Sequence, residues 1–115
     1  MRFALAALLA LLPAAVLAQD KPPAGDAAAG KQIFARVVCY SCHGYDGQGS
    51  RVTGPRLART ELPFEAFTQQ LREPAAEMPA YSAKVLPDKD VADIYAYLRS
   101  LPAPPAVKDL AILKN

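Results

Sequence analysis

The chain has no tryptophan, a single histidine, two cysteines, two methionines and 8% aromatic residues. So few aromatics leave little material for an ordinary hydrophobic core. One histidine excludes any centre built from a His pair. Two cysteines exclude a multi-disulfide scaffold. No charge of one sign dominates: Lys and Arg number 13, Asp and Glu 11, a formal net charge of +2. There is no basic face of the kind nucleic acid requires, and no acidic tail. Alternating strand-like runs and internal repeats are missing too. Beyond the N-terminus, no stretch is apolar for long enough to cross a membrane.

The N-terminus is the one long apolar run. Met1-Arg2-Phe3 precedes Ala4 to Leu12, and then come Pro13-Ala14-Ala15-Val16-Leu17-Ala18. A basic start, an apolar centre and small residues at Val16 and Ala18 are the parts of a secretory signal peptide, cleaved after Ala18. A retained membrane anchor is the competing reading, but the stretch is short and Pro13 interrupts it. Removing residues 1–18 from 115 leaves 97. A chain of that size buries only about two-thirds of its unfolded surface and is marginal without help. A bound cofactor would supply the missing core.

The remainder reads as one all-α domain with long loops. Residues 19–25 are a polar, Pro-containing leader, expected to be flexible. Asp26 is a helix N-cap before Ala27-Ala28-Ala29, and Ile33, Phe34, Val37 and Val38 recur at helical spacing, so the first helix is expected to run to about Val38. Gly30 inside it costs about 1 kcal/mol relative to Ala, which points to a close approach. Cys39 to Thr60 reads as loop, broken by Gly44, Gly47, Gly49, Gly54 and Pro55. Pro63 suits a helix start, with Phe64, Phe67 and Leu71 at helical spacing, and Pro74 ends that helix. A second loop, Glu73 to Leu86, holds Met78-Pro79-Ala80-Tyr81. Pro87 and Asp88 open the last helix, whose apolar stripe is Val91, Ile94, Tyr95 and Leu98, and Pro102 ends it by Leu101. The domain is thus residues 26–101, followed by a tail over 102–115.

The two cysteines are Cys39 and Cys42, followed at once by His43. This is the C-x-x-C-H spacing of c-type haem attachment. Two intervening residues let both sulfurs reach the vinyl groups on one edge of a porphyrin, and His43 then falls beneath the iron as an axial ligand. A structural disulfide would staple nothing distant. A thioredoxin-like pair wants a preceding strand, and here a helix precedes. A structural zinc site needs four ligands, and the chain offers three. One covalently bound haem c with iron is the reading these eliminations leave.

The iron's other face decides function. Met78 is the only methionine left after Met1 departs with the signal, and a thioether there favours Fe(II) and plain electron transfer. The alternatives are an open face, or one taken by Lys84. A ligating His usually passes its other N–H to an acceptor. The Pro55 carbonyl is a candidate for that acceptor, and Gly54-Pro55 is equally readable as a simple turn.

These residues resemble the class I cytochrome c family, of the small bacterial monohaem type. The resemblance covers roughly Asp26 to Leu101. It rests on Cys39-Tyr40-Ser41-Cys42-His43, Gly54-Pro55-Arg56-Leu57, Met78-Pro79-Ala80-Tyr81 and Asp93-Ile94-Tyr95-Ala96-Tyr97-Leu98-Arg99. It implies a small cytochrome c fold of three to four helices around one haem. It also implies Met78 as distal ligand, Pro55 as carbonyl partner of the proximal ring and Leu57 as haem packing. Gly30, Phe34 and Tyr97 occupy the places where the family's first and last helices meet. One departure is Pro87, where members often carry a Ser or Thr cap. Arg51, Arg56 and Arg59 are candidate partners for the haem propionates. The implied function is a periplasmic one-electron carrier, not an enzyme, possessing redox partner proteins such as a donor dehydrogenase or a terminal oxidase or reductase. A haem subunit serving a dehydrogenase is a variant of it. The contrasting class is a haem-based ligand sensor or peroxidase-like enzyme, which needs an open distal face.

Overall fold

The computed structural model describes residues 21–110 and 112. The signal peptide and its cleavage site, read at residues 1–18, lie outside them. Four helices are present among the described residues: α1 (Ala27–Arg36), α2 (Tyr40–His43), α3 (Phe64–Arg72) and α4 (Asp88–Ser100). A 3₁₀ turn, Val107–Asp109, follows in the tail. Among the described residues, strand character is confined to one isolated bridge between Ser50 and Gly54. The architecture is all-α, a small cytochrome c fold.

Each helix starts for a local reason. Asp26 Oδ1 accepts from the N–H groups of Ala28 and Ala29 at 2.8 and 3.1 Å, satisfying donors that the first turn leaves free. Pro63 and Pro87 sit at the N-cap positions of α3 and α4. Neither offers a side-chain cap. α4 compensates with Asp88 and Asp90 in its first turn, where negative charge meets the positive end of the helix dipole.

α1 ends two residues before the periodicity suggests. Val38 has φ 63°, a left-handed conformation that a β-branched residue seldom adopts. The Val38 N–H donates to Ala35 O at 3.1 Å, and the Cys39 N–H reaches back to Phe34 O at 3.1 Å. This is the Schellman pattern that closes a helix, built on valine where glycine is usual. The sharp exit launches the chain directly into α2. That helix is another departure from expectation, because the segment from Cys39 reads as loop in the sequence.

α1 lies along α4, and α3 also packs on α4. The α1–α4 crossing is tight at Gly30, where an added Cβ would collide with the Asp93 carbonyl and lie 2.9 Å from Ile94 N. Beside it Phe34 and Tyr97 meet edge to face, with ring centroids 5.7 Å apart. Tyr95 packs against both Phe64 and Phe67 of α3. Ile33, Phe34, Phe67, Leu71, Leu86, Val91, Ile94 and Leu98 complete a core that is small for its chain.

One charged group is buried in that core. Asp93 is 2% exposed. Its Oδ1 accepts the Asp26 backbone N–H at 2.8 Å, and its Oδ2 accepts from Lys89 Nζ at 2.6 Å. The backbone bond, then the lysine, holds the Asp93 carboxyl below its usual range against the cost of burial. α4 thereby fixes the N-terminus of α1 as well as its middle.

Candidate functional site

A mostly apolar cavity of about 1780 Å³ opens in the structure. Its lining includes all six of Cys39, Cys42, His43, Pro55, Leu57 and Met78. Residues far apart in sequence are therefore gathered around one space, larger than the roughly 300–1,000 Å³ of a drug-sized ligand site. Phe34, Phe67, Leu71, Ile94 and Leu98 also line it, so the missing part of the core is the cavity itself.

The segment Cys39 to His43 is held by hydrogen bonds from within and from the loop that follows. Cys39 O accepts from the His43 N–H at 3.1 Å, making the single turn of α2. Thr53 Oγ1 donates to Cys42 O at 2.8 Å, and the Gly49 N–H donates to His43 O at 2.7 Å. The loop after the motif thus folds back to satisfy the carbonyls at the end of α2. Gly54 lies flat against the His43 ring, so that a Cβ there would come within 3.1 Å of the ring atoms Cε1 and Nδ1.

His43 is 7% exposed. Its Nδ1 lies 2.8 Å from Pro55 O. A carbonyl only accepts, so Nδ1 carries the proton and donates. In the neutral ring the lone pair is then on Nε2, ready for a metal. Such an N–H bond orients a ligating imidazole and raises its basicity.

Cys39 is half-buried and Cys42 is exposed. Burial pushes the Cys39 thiol up to about 11, hydrogen bonds offset part of that rise, and Cys42 adds slightly to it. Thiol–disulfide chemistry needs an accessible thiolate, which the buried Cys39 thiol does not favour. A structural zinc site fares no better, since no group of three or more His, Cys, Asp and Glu side chains converges among the described residues.

Met78 is held by α3. Gln70 Nε2 approaches Met78 Sδ at 3.9 Å. The next residue, Leu71, accepts the Tyr81 N–H on its carbonyl at 2.8 Å. Arg72 Nη1 then donates to Tyr81 O at 2.8 Å while Nη2 pairs with Asp88 at 2.6 Å. The Tyr81 hydroxyl donates to Val37 O at 2.9 Å, tying the methionine loop to the turn that precedes Cys39. Lys84 is exposed and is not part of the cavity lining. Arg51, Arg56 and Arg59 do line it.

Sequence reasoning missed the roles of Gln70, Arg72, Tyr81 and Asp93. Gln70 carried a signal: it lies three residues after Phe67 and beside Leu71, a polar residue on the apolar face of α3.

Residues 25–98 match the family model described as "Cytochrome C oxidase, cbb3-type, subunit III". The chain belongs to the cytochrome c family. The cytochrome is also similar to cytochrome c-554(548) of Halomonas halodenitrificans, 37% identical over 83 residues that cover 67% of this chain and 98% of that protein. Members of the family bind covalently attached haem c with its iron. The cavity fits that group in chemistry as well as size: two adjacent thiols, an imidazole with one nitrogen tied back and the other free, and an apolar wall. No helix among the described residues of the cytochrome is long and apolar enough to cross a membrane.

Proposed function

We propose that the protein is a periplasmic one-electron carrier, with haem c attached through Cys39 and Cys42 and its iron ligated by His43 and Met78. The observation that carries this reading is the shared cavity: the two thiols, the only histidine and Met78 all line it. Bound haem supplies a one-electron Fe(III)/Fe(II) couple. The protein's own residues do the rest. The Pro55 carbonyl fixes the His43 ring through Nδ1 and leaves Nε2 for the iron. The apolar wall excludes water and lowers the dielectric around the couple. Gln70, Leu71 and Arg72 hold the 78–81 segment from one helix, so both ligands stay in place when the charge on the iron changes. Little rearrangement is what rapid electron exchange needs.

The periplasmic assignment rests on the signal-peptide pattern at residues 1–18 together with the use of a covalently held cofactor. The acceptor class we favour is a terminal oxidase, because the matching family model takes its description from a subunit of one. A dehydrogenase is the corresponding donor.

The test is a pair of measurements on the purified holoprotein. Haem should survive acid–acetone extraction, and it should lose one thioether bond in Cys39→Ala and the other in Cys42→Ala. Met78→Ala should lower the reduction potential and open the ferrous iron to carbon monoxide. Extractable haem in the wild type removes the cysteines from the site. A Met78→Ala protein with the wild-type potential removes Met78.

A further inference from the structure

The domain read from the sequence stops at Leu101, and the family match stops at residue 98. The cavity wall continues past both. Pro104, in the tail, lines the cavity beside Arg59, Thr60 and Leu62. The end of α4 brings the chain there. Leu98 O accepts the Arg59 N–H at 2.7 Å, and Arg99 Nη1 donates to Thr60 O at 3.5 Å. Leu101 then packs against the core, and the tail sets out from it. Three of the four residues Pro102-Ala103-Pro104-Pro105 are prolines. Leu101 and Ala106 bracket them with φ, ψ of −67°, 146° and −64°, 146°, which are polyproline II values. Such a segment makes no internal hydrogen bonds, and proline has no N–H to satisfy. It can therefore cross the mouth of a cavity without a ladder of partners. Because proline fixes φ, little freedom is lost when the segment is laid down. At about 3.1 Å per residue, the step from Leu101 to Pro104 spans about 9 Å. Beyond Ala106 comes the turn Val107–Asp109, and then Leu110, which is half-buried like Leu101.

We propose that residues 102–106 form a proline arm that covers the haem site, and that Pro104 keeps water from the cavity on the side of Arg59 and so raises the reduction potential. The proposal rests on the cavity as the seat of haem c, and holds whichever residue ligates the iron opposite His43. Two effects act in the same direction. The ferric state carries one more positive charge than the ferrous state, and water admitted beside the couple would stabilise that charge. Water would also screen Arg51, Arg56 and Arg59, which line the cavity and belong to none of the ion pairs among the described residues. Their positive charge disfavours the ferric state, and it acts most strongly where the dielectric is low. Burial and dielectric are among the levers a protein has on haem potential. A tail that merely rests on the surface would alter stability at most and leave the potential where it is.

The experiment is a redox titration of full-length holoproteins carrying Pro104→Gly or Pro105→Gly. Pro104→Gly removes the ring that lines the cavity. Its potential should fall below that of the wild type, with the visible and far-red absorption of the ferric iron unchanged. Pro105→Gly loosens the same arm by the same chemistry at a residue outside the cavity lining, and its potential should stay closer to that of the wild type. An unchanged potential in Pro104→Gly overturns the cover. So does an equal fall in both variants, which would trace the effect to the stiffness of the arm and not to the Pro104 ring. A fall accompanied by altered iron absorption would come from a lost ligand, and it too overturns the cover. Because each variant is read against the wild type, the comparison does not depend on ligation by Met78, which the absorption of the wild type tests by itself. A measurement on the unaltered ferrous protein stands apart from any folding defect of the variants. Nuclear magnetic resonance should find Pro104 ring protons close to protons of the haem. A Pro104 without such contacts, in a tail as mobile as a free peptide, would overturn the cover.

Discussion

Gly30→Ala should destabilise the protein although it replaces the poorer helix former with the best one. On helix propensity alone, alanine at a helix interior gains about 0.8–1.0 kcal/mol over glycine. Against that stands the crossing with α4. The new Cβ would strike the Asp93 carbonyl and lie 2.9 Å from Ile94 N. These are backbone atoms of a helix, so no rotamer change relieves the clash. Overpacking of this kind costs about 1–3 kcal/mol. If α1 instead moves outward by 0.5–1 Å, contacts across the gap lose about a quarter to a half of their dispersion well. Ile33 and Phe34 are the buried side chains of α1 that would suffer, each worth about 1.5–3 kcal/mol when fully buried. Set against the propensity gain, either route leaves a net loss of about 0–2 kcal/mol. For a domain of this length each kcal/mol lowers the melting temperature by about 4–8 °C. Ala28→Gly is the control, since Ala28 is exposed on the same helix and should lose only the propensity term of about 1 kcal/mol. The assay is thermal unfolding of the ferric holoproteins. A Gly30→Ala protein that melts at or above the wild-type temperature would refute the close crossing.

Val38→Gly should raise stability by about 1 kcal/mol, because the φ of 63° at Val38 costs a residue with a Cβ about 1–2 kcal/mol and glycine nothing steric. A denaturant midpoint at or below that of the wild type would contradict this. Tyr81→Phe removes the donor to Val37 O and should cost about 0.5–1.5 kcal/mol in the same assay. No loss of stability would mean the loop is held elsewhere. Asp93 makes acid stability testable. Its folded carboxyl is held below the unfolded value, so its contribution is complete above the ordinary aspartate range near about 4 and is lost as pH falls through the depressed folded value. Asp93→Asn should therefore be less stable than wild type at neutral pH, with the gap closing on acidification. A gap independent of pH would show that the carboxylate charge is immaterial.

Much of this fold was legible because it is written in punctuation. Asp26, Pro63 and Pro87 stand at the helix starts, and Pro74 and Pro102 bar continuation. What failed at the end of α1 was the assumption that apolar spacing continues the helix. Periodicity reports which residues face the core, and Val37 does pack against it while Val38 is exposed, but it says nothing of φ. The four residues of α2 are too few for any period to appear. In the site, the cysteines and histidine are legible because their chemistry requires adjacency in sequence. The supporting bonds are not, since Asp26 meets Asp93 and Tyr81 meets Val37 across 67 and 44 positions. Such pairings exist only once the helices are packed. Gln70 lies between these cases: its place on an apolar face was visible, its partner was not.

The central claim is that iron held by this chain carries His43 and Met78 as its axial ligands and so serves electron transfer. The far-red absorption of the ferric wild-type protein at neutral pH tests it most directly. The account predicts a weak sulfur-to-iron band that disappears in Met78→Ala and persists in Lys84→Ala. A ferric wild-type protein without that band, whose ferrous form takes up carbon monoxide at once, would contradict it and turn the reading toward a ligand-binding haem protein.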